Sequence, residues 1–399
     1  MSQKAVGGGV AAYRELSWGL LWSGFALGVA AAAALWLFIH SSNESLANAY
    51  TPYSLTTESL ITDTKSKVPI SAKVTENAAQ HTIRDTKSTP SQQSHSSLPD
   101  DASQEPVISV YLSDKRKVET VPLETYVLGV LAAEMPLTFE QAALEAQALA
   151  ARTYIVRRLL SDNRDGVPGN QAPVTDQVSH QAYKSLEQMD TLKETDPEGF
   201  RKARLAVART RDTILTYKNE PIEALFFSSS NGYTENSEEV FPNKLPYLRA
   251  VSSPWEEESR HPAEETTTMP LVDFYEKLGI ATLPAAGTKA EAKPQIRVLE
   301  RTAGHRVKIL LVGSEKRTGE EARDRLGLRS AAFDWTVEDG KISITTHGYG
   351  HGVGMSQWGA EGMAKKGKSA RQIVEHYYTD VRLTEASKLL DLGNRNRRL

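Results

Sequence analysis

Residues 347–359 read His-Gly-Tyr-Gly-His-Gly-Val-Gly-Met-Ser-Gln-Trp-Gly and hold five glycines in thirteen positions. Because glycine costs roughly 0.5–1 kcal/mol relative to alanine in a regular element, no ordinary core helix or strand would keep so many. The run follows a predicted strand at 341–346 and precedes a predicted helix that starts near Met355 and ends at Gly367. It therefore predicts a strand-to-helix loop with an open backbone, of a kind that commonly holds ligands. A tight corner with a purely structural role is the alternative.

The residues of this run disfavour nucleotides and metals. A phosphate-binding loop ends in Gly-Lys-Ser/Thr, and a dinucleotide fingerprint needs GxGxxG with an acidic residue about 20 positions later. Neither pattern is present. His347 and His351 stand four residues apart, which suits a shared metal only on one face of a helix, and the glycines between them disfavour a helix.

The N-terminal region predicts a membrane anchor. Residues 18–39 carry no charge and are rich in Leu, Ala, Val and Phe, which is enough to cross a bilayer at about 20 residues per span. Lys4 and Arg14 precede the stretch and Glu44 follows it, so residues 1–17 are expected in the cytoplasm and the remainder outside the cell membrane. A signal peptide cleaved after Ala49 is the competing interpretation, but the apolar stretch is longer than a signal core.

Composition separates the rest of the chain into a linker and a folded region. Residues 40–104 are dominated by polar side chains and bury too little apolar surface to fold, so they are interpreted as a flexible extracytoplasmic linker. Residues 105–385 are predicted to form the folded domain, followed by a tail at 386–399. The formal net charge of -3 gives no electrostatic case for nucleic acid, and the absence of cysteine excludes disulfides.

Hydrophobic periodicity predicts an α+β fold in which helices pack with antiparallel strand pairs around one cleft. The predicted strand pairs are 107–112 with 117–121, 213–217 with 222–227, 295–301 with 306–312, and 332–337 with 341–346. The predicted helices are 123–134, a helix opened by a capping box at 138–141 that reaches about 160, a short one capped at Thr318, and a last one opened by a box at 369–372. Residues 184–212 and 254–294 are expected to be peripheral.

Glu134 is the candidate acid. If the first helix ends there, its carboxyl group meets the negative end of the helix dipole, and its apolar neighbours add desolvation. Both effects raise the pKa, and a carboxylic acid protonated near neutral pH can act as a general acid. A solvated glutamate at a helix end is the alternative.

Two further groups have polar side chains that could serve such an acid. Arg152 on the second helix could hold a substrate, or could pair with Glu134 and lower its pKa. Residues 228–231, Ser-Ser-Ser-Asn, could bind sugar hydroxyls or form a plain turn. No GxSxG pattern surrounds these serines, so a serine hydrolase is disfavoured.

Four motifs in register resemble the family of stage II sporulation protein D, membrane-anchored lytic transglycosylases of endospore-forming bacteria, and the wider family that includes amidase-enhancer proteins. The resemblance rests on Pro-Leu-Glu-Thr-Tyr-Val-Leu-Gly-Val-Leu-Ala-Ala-Glu-Met-Pro at 122–136, Ala-Gln-Ala-Leu-Ala-Ala-Arg-Thr-Tyr at 146–154, Phe-Phe-Ser-Ser-Ser-Asn-Gly-Tyr-Thr-Glu at 226–235, and Gly-Tyr-Gly-His-Gly-Val-Gly-Met-Ser-Gln at 348–357. It covers about residues 105–385.

The resemblance implies cleavage of peptidoglycan glycan strands stripped of stem peptides, with 1,6-anhydro sugar ends as products. It implies that Glu134 is the catalytic residue. It implies as partners stage II sporulation proteins P, an amidase, and M, a membrane scaffold, during engulfment of the forespore, on the mother-cell side of the engulfing membrane. The residues expected to touch sugar, because they lie in or beside the matching motifs, are Arg152, Tyr154, Ser229, Ser230, Asn231, Tyr247, His351, Ser356 and Gln357.

The chain departs from the family at one segment. Some members carry a zinc site of His and Cys in the segment that matches 174–183, but here only His180 remains, so no metal or other cofactor is expected. A protein that binds glycan strands and enhances a partner amidase, without cutting, is the alternative to an enzyme.

Overall fold

Helices and small, mostly antiparallel sheets make up an α+β fold, as the periodicity predicts. The computed structural model describes residues 105–259, 264–280 and 296–396. The predicted anchor at 18–39 and the predicted linker at 40–104 lie outside this part of the chain. Within it, no helix is both long and apolar enough to cross a membrane.

The helices are α1 Leu123–Glu134, α2 Gln141–Leu160, α3 Leu186–Thr195, α4 Pro197–Arg209, α5 Leu271–Lys277, α6 Gly319–Leu326, α7 Gln357–Lys365, α8 Ala370–Tyr377 and α9 Ala386–Asn396. Short 3-10 helices lie at Pro168–Asn170, Ser237–Glu239 and Pro254–Ser259. One apolar stripe of α1 is buried: Tyr126, Val127, Val130 and Leu131 are all fully inaccessible. Burial of each such side chain contributes about 1.5–3 kcal/mol.

The strands of the described residues form five small sheets. β1 Val107–Leu112 pairs with β2 Lys117–Pro122 and, in parallel, with β3 Val174–Thr175. β4 Thr213–Tyr217 lies between β5 Glu220–Pro221 and β14 Arg382–Glu385, and β6 Phe226–Phe227 runs parallel to β13 Met355–Ser356. The other two sheets are β8 Ile296–Arg301, β9 Val307–Val312 and β10 Glu315–Thr318, in the order β10-β9-β8, and β7 Glu264–Pro270, β11 Phe333–Glu338 and β12 Lys341–His347, in the order β11-β12-β7.

The larger core surrounds α2. Its alanines Ala143, Ala146 and Ala150 are fully buried and let α1, α4 and α7 pack close to its axis. A smaller core lies between α5, α6 and the last two sheets, around Phe274 and Phe333. The candidate acid at the end of α1 therefore belongs to the larger core.

Several predicted boundaries are wrong for identifiable reasons. Residues 137–139 form a turn, and α2 begins after Glu140, whose main-chain N–H donates to the Glu361 carboxylate at 2.6 Å; the capping box at 138–141 does not form. The strand predicted at 222–227 shortens because Leu225 N–H turns back to the Glu223 carbonyl.

The regions expected at the periphery supply core residues instead. Residues 184–212 fold into α3 and α4, and α4 buries Ala203 and Ala206 against α1 and α2. Residues 271–277 form α5, whose Phe274 and Tyr275 belong to the smaller core, whereas β7 is a largely exposed edge strand, as expected of a peripheral segment. The predicted tail begins with helix α9, whose Ala386 is fully buried. Composition failed here because charged residues occupy the outer faces of these helices.

Candidate active site

Glu134 is the last residue of α1, and its side chain is half-buried. Its Oε1 accepts a hydrogen bond of 2.6 Å from the main-chain N–H of Ala182. Burial raises the pKa of the carboxyl group to about 7, and the Ala182 N–H, which favours the charged form, opposes that rise. The direction is the one that the sequence predicts. With this pKa, about half of the molecules hold a protonated Glu134 at neutral pH.

The segment that carries this N–H is fixed by two tyrosines of the core. Tyr126 on α1 donates a hydrogen bond of 3.0 Å to Oε1 of the buried Gln181. The ring of Tyr183 stacks on that of Tyr126 with centroids 5.5 Å apart, and its hydroxyl donates to Glu119 at 2.9 Å. The donor to Glu134 is therefore held from both sides along the chain.

The corner between α1 and α2 is held by α7. Gln357 donates its side-chain amide to the main-chain carbonyl of Glu134 at 3.1 Å. Trp358 packs edge-on against Phe139 with centroids 4.6 Å apart, and Glu361 accepts the N–H of Glu140. The end of the glycine-rich run thus lies against the residue that carries the candidate acid.

Tyr154 is half-buried on α2, with the guanidinium carbon of Arg158 5.9 Å from its ring centroid. Burial is the main cause that raises its pKa to about 12, so the hydroxyl is neutral and can donate. Burial also raises the pKa of Tyr126, and the charges of Tyr154 and Glu134 add to that rise. Tyr126 therefore lies within electrostatic reach of both Tyr154 and Glu134.

Arg152 pairs with a glutamate other than Glu134 in this structure. The side chain is completely buried, and Nε and Nη2 donate to the two carboxylate oxygens of Glu124 at 3.0 and 2.6 Å. Nη1 donates to the carbonyl of Thr213 at 3.2 Å. The guanidinium stabilises the packing of α1, α2 and β4, and it neither pairs with Glu134 nor faces solvent.

Ser230 and Ser356 surround a buried carboxylate that sequence reasoning missed. Oε1 of Glu256 accepts the Ser230 N–H at 3.0 Å and the Ser356 hydroxyl at 2.7 Å, and Ser253 donates to the same oxygen at 3.2 Å. All four residues are buried and bonded to one another, so Ser230 and Ser356 present no exposed hydroxyl group here, and the sugar contacts expected of them stay a prediction. The sequence did not indicate that Glu256 is buried, because its neighbours are charged and were expected at the surface.

Ser229, Tyr247 and His351 are also internal. Ser229 exchanges two main-chain hydrogen bonds with Tyr349, at 3.0 and 2.8 Å. Tyr247 accepts the N–H of Glu223 at 3.1 Å through its hydroxyl oxygen. Burial lowers the pKa of His351 to about 3, so the ring is neutral, and its Nδ1 accepts the N–H of Val353 at 3.0 Å. Less than a tenth of each of these residues is exposed, so all three pack inside the fold, and the sugar contacts expected of them stay predictions.

The glycine-rich run is closer to the structural alternative than to an open loop. Residues 351–356 are buried, and the run pairs with the backbone of 225–235. A side chain at Gly352 would meet the guanidinium of Arg306, and one at Gly354, where φ is +83°, would overlap the carbonyl of Leu225. The fully buried Arg306 lies 3.6 Å from Glu235 and donates to the carbonyl of Gly350 at 3.2 Å. Close backbone approach therefore explains these glycines.

His180 occupies the segment where relatives were expected to hold zinc. Its Nδ1 lies 2.9 Å from the Thr175 hydroxyl, and its Nε2 lies 2.9 Å from the Asp165 carbonyl. No group of three His, Asp or Glu side chains suited to a metal occurs in the described part of the chain.

Of the predicted residues, the structure brings Glu134 and Gln357 together. Tyr154 lies within electrostatic reach of Tyr126, whereas Asn231 lines a cavity that does not contain Glu134. The residues that sequence reasoning missed are Tyr126, Gln181 and Ala182. In the sequence, Tyr126 has the position of an ordinary core residue. Every residue except proline has a main-chain N–H, so the identity of Ala182 does not mark it as a hydrogen-bond donor.

Comparison with known proteins adds independent evidence. The model of the stage II sporulation protein family SpoIID matches residues 111–217. Stage II sporulation protein D of Bacillus amyloliquefaciens is 43% identical over 312 residues, which are 78% of this chain and 86% of that protein. The protein of the same name from Bacillus subtilis (strain 168) is 43% identical over 285 residues, 71% of this chain and 80% of the relative. The amidase enhancer of Bacillus subtilis (strain 168) is 26% identical over 302 residues, 64% of this chain and 40% of that protein.

Proposed function

Because the chain belongs to the family of stage II sporulation protein D, we propose that it is a lytic transglycosylase that cleaves peptidoglycan between N-acetylmuramic acid and N-acetylglucosamine. The observation that carries this proposal is Glu134, a half-buried carboxyl group whose pKa burial raises to about 7. A group with such a pKa can give up a proton and recover one at neutral pH. One carboxyl group suffices for this reaction, whereas hydrolytic glycosidases usually need two.

The proton moves in two steps. Protonated Glu134 donates its proton to the bridging glycosidic oxygen, and the bond between that oxygen and C1 of the muramyl residue breaks. The C6 hydroxyl of the same residue then attacks C1, and the Glu134 carboxylate takes the hydroxyl proton. The products are a 1,6-anhydro sugar end and a free hydroxyl on the leaving sugar, no water is consumed, and Glu134 is protonated again.

The contacts of Glu134 suggest different roles for its two carboxyl oxygens. Oε1 accepts the Ala182 N–H, which disfavours a proton on that atom. Oε2 is then the oxygen that carries the proton to the substrate. Gln357 contacts the main-chain carbonyl of Glu134, and Tyr126 contacts Gln181, the neighbour of Ala182. Both residues therefore position the carboxyl group and do not exchange protons with the substrate.

Digestion of purified glycan strands tests the proposal. The full-length protein is expected to release strands with anhydro ends, detected by mass spectrometry, and the Glu134→Gln variant is expected to lose this activity by a factor of at least about 100, the usual size of a general acid's contribution. Glu145→Gln is the matched control, since Glu145 is a partly buried glutamate on α2, 17% exposed and paired with Arg209. Equal cleavage by the Glu134→Gln variant, or no cleavage by the unaltered protein, would sink the enzymatic assignment.

The distant amidase enhancer favours one second candidate, a protein that binds strands and assists an amidase without cutting them. Binding of strands without anhydro products from the unaltered protein would support it.

Within the first proposal, the protein acts on denuded strands during forespore engulfment, together with stage II sporulation proteins P and M. It is anchored through residues 18–39, with the folded domain outside the cell membrane. The uncharged composition of 18–39 supports the anchor. Release of the protein from membranes by carbonate washing would count against it.

A further inference from the structure

A surface cavity lies apart from Glu134. Its volume is about 300 Å³, and it is lined by Asn231, Arg301, His305, Ala332, Phe333, Asp334 and His347. Ligand sites commonly begin at about this size. The cavity holds neither Glu134 nor a residue that touches its carboxyl group. Asn231 and His347 are polar residues of the sequence motifs that the candidate active site does not use.

The polar side chains of this cavity hold one another in place. Arg301 donates to Asp334 at 3.0 Å and to the carbonyl of His305 at 3.0 Å, and Nε2 of His347 lies 3.3 Å from Asp334. Asn231 donates to the carbonyl of Gly304 at 2.9 Å, while its own buried Oδ1 has no hydrogen-bond partner among the described residues. The polar side chains that line the cavity are therefore already fixed by hydrogen bonds before a ligand arrives.

The charges of the cavity do not select an ion. The Arg301 guanidinium is matched by Asp334, and His347 lies between Asp334 and Glu264, 3.2 Å from the latter. The cavity offers hydrogen-bond donors and acceptors on amide, carboxylate, guanidinium and imidazole groups. This mixture suits a neutral ligand with many hydroxyl groups. The ring of Tyr233, 41% exposed, stands 4.5 Å from that of His305 and offers an apolar face of the kind on which a pyranose ring can pack.

The cavity continues into a sheet face covered with hydroxyl groups. Asp334 and His347 lie on the outward face of the sheet β11-β12-β7, opposite the buried Ile342 and Ile344. On that face Thr266 pairs with Thr345 at 2.8 Å and Thr268 with Ser343 at 2.9 Å through their hydroxyl groups. A linear ligand seated in the cavity would therefore meet further donors and acceptors along the strands.

From this cavity and the adjoining hydroxyl face, we propose a non-catalytic binding site for a neutral stretch of a glycan strand, with Tyr233 as its stacking platform. The inference rests on the proposed function, because it takes the strand that Glu134 cuts as the ligand. The site retains the strand away from the scissile bond.

Binding of peptide-free glycan strands to the full-length Glu134→Gln protein tests this site without cleavage. Adding Tyr233→Ala is expected to weaken binding about fivefold to tenfold, and adding Thr268→Val about twofold to threefold. The controls are Leu186→Ala, which shortens a side chain 44% exposed on α3, and Thr120→Val, which breaks the exposed cross-strand pair with Ser109. Both controls are expected to bind within twofold of the parent.

The outcomes separate the two proposals. Equal binding by the Tyr233→Ala and Thr268→Val variants and the controls, in proteins with unchanged melting temperature, would overturn the second site whatever the activity assays show. A parent that does not bind strands would overturn it as well. Cleavage that persists in the Glu134→Gln protein would instead refute the role of Glu134 and leave the binding comparison intact.

Discussion

Gln357 donates its side-chain amide to the main-chain carbonyl of Glu134, although 223 positions separate them in the chain. The bond joins the first residue of α7 to the last residue of α1. It satisfies one of the carbonyl groups that a helix end leaves without an internal partner. The position of the candidate acid therefore depends on the C-terminal part of the fold as much as on its own helix.

Activity is expected to fall as the pH rises through about 7. Glu134 must be protonated to act first, and burial holds its pKa at about 7. Above that value the protonated fraction falls about tenfold per pH unit. Rates of anhydro-end formation measured between about pH 5 and 9 would show this decrease, the alkaline limb of the pH profile. A constant rate up to about pH 9 would contradict the role of Glu134 as the acid.

Replacement of Glu134 by glutamine is expected to stabilise the protein in alkaline solution. The folded pKa of about 7 exceeds the ordinary value of 4.5, so the folded state resists ionisation. The resulting loss of stability is absent below about pH 4.5, grows between the two values and is complete above about pH 7, at no more than about 3 kcal/mol. Thermal unfolding of both proteins at about pH 4.5 and pH 8.5 checks this; a melting difference that does not depend on pH would contradict it.

Tyr126→Phe is expected to lower activity more than stability alone explains. The change leaves the buried Oε1 of Gln181 without its donor, which costs about 1–3 kcal/mol, and loosens the Ala182 N–H from Glu134. Because that N–H lowers the pKa of Glu134, the alkaline limb of activity should move to higher pH. Tyr275→Phe is the control, since its buried hydroxyl has no hydrogen-bond partner among the described residues. An unshifted limb in the Tyr126→Phe protein would argue for a structural role only.

Arg152→Met is expected to destabilise the protein by about 3–5 kcal/mol without changing KM for glycan. The substitution leaves the carboxylate of Glu124, 12% exposed, without its cation. Replacing both partners by methionine should recover part of the loss, because an apolar pair needs no desolvated charge. Arg157→Met, on the same helix but in an exposed pair with Glu223 at 3.8 Å, is the control and should cost less than about 1 kcal/mol. Denaturant unfolding measures both, and a raised KM in a stable Arg152→Met protein would restore Arg152 as a sugar contact.

Gly354→Ala is expected to cost more than about 3 kcal/mol, because the added methyl group overlaps the Leu225 carbonyl and the φ of +83° is strained for alanine. Gly367→Ala shares a positive φ, +76°, but would meet nothing within 4 Å, so it should cost only about 1–2 kcal/mol. Comparison of their unfolding free energies separates close packing from backbone strain. Equal losses would show that φ alone explains both glycines.

The sequence by itself determined the local elements of this protein. The apolar stripe of α1 fixes which face is buried, and the capping residues Thr318 and Ser369 start their helices as predicted. It also placed Glu134 at a helix end among apolar neighbours, which decides the direction of its pKa shift. These features depend on residues a few positions apart, so they can be predicted from the periodicity and composition of the sequence.

Only the tertiary structure decided which polar residues face the acid. Arg152, Ser230, Ser356 and His351 lie in motifs that suggested sugar contacts, yet each is buried by chain segments distant in sequence. The Ala182 N–H and Gln357 reach Glu134 across 48 and 223 positions. Burial and hydrogen bonding of this kind follow from long-range packing, and a single sequence carries no local pattern for the distance between remote segments.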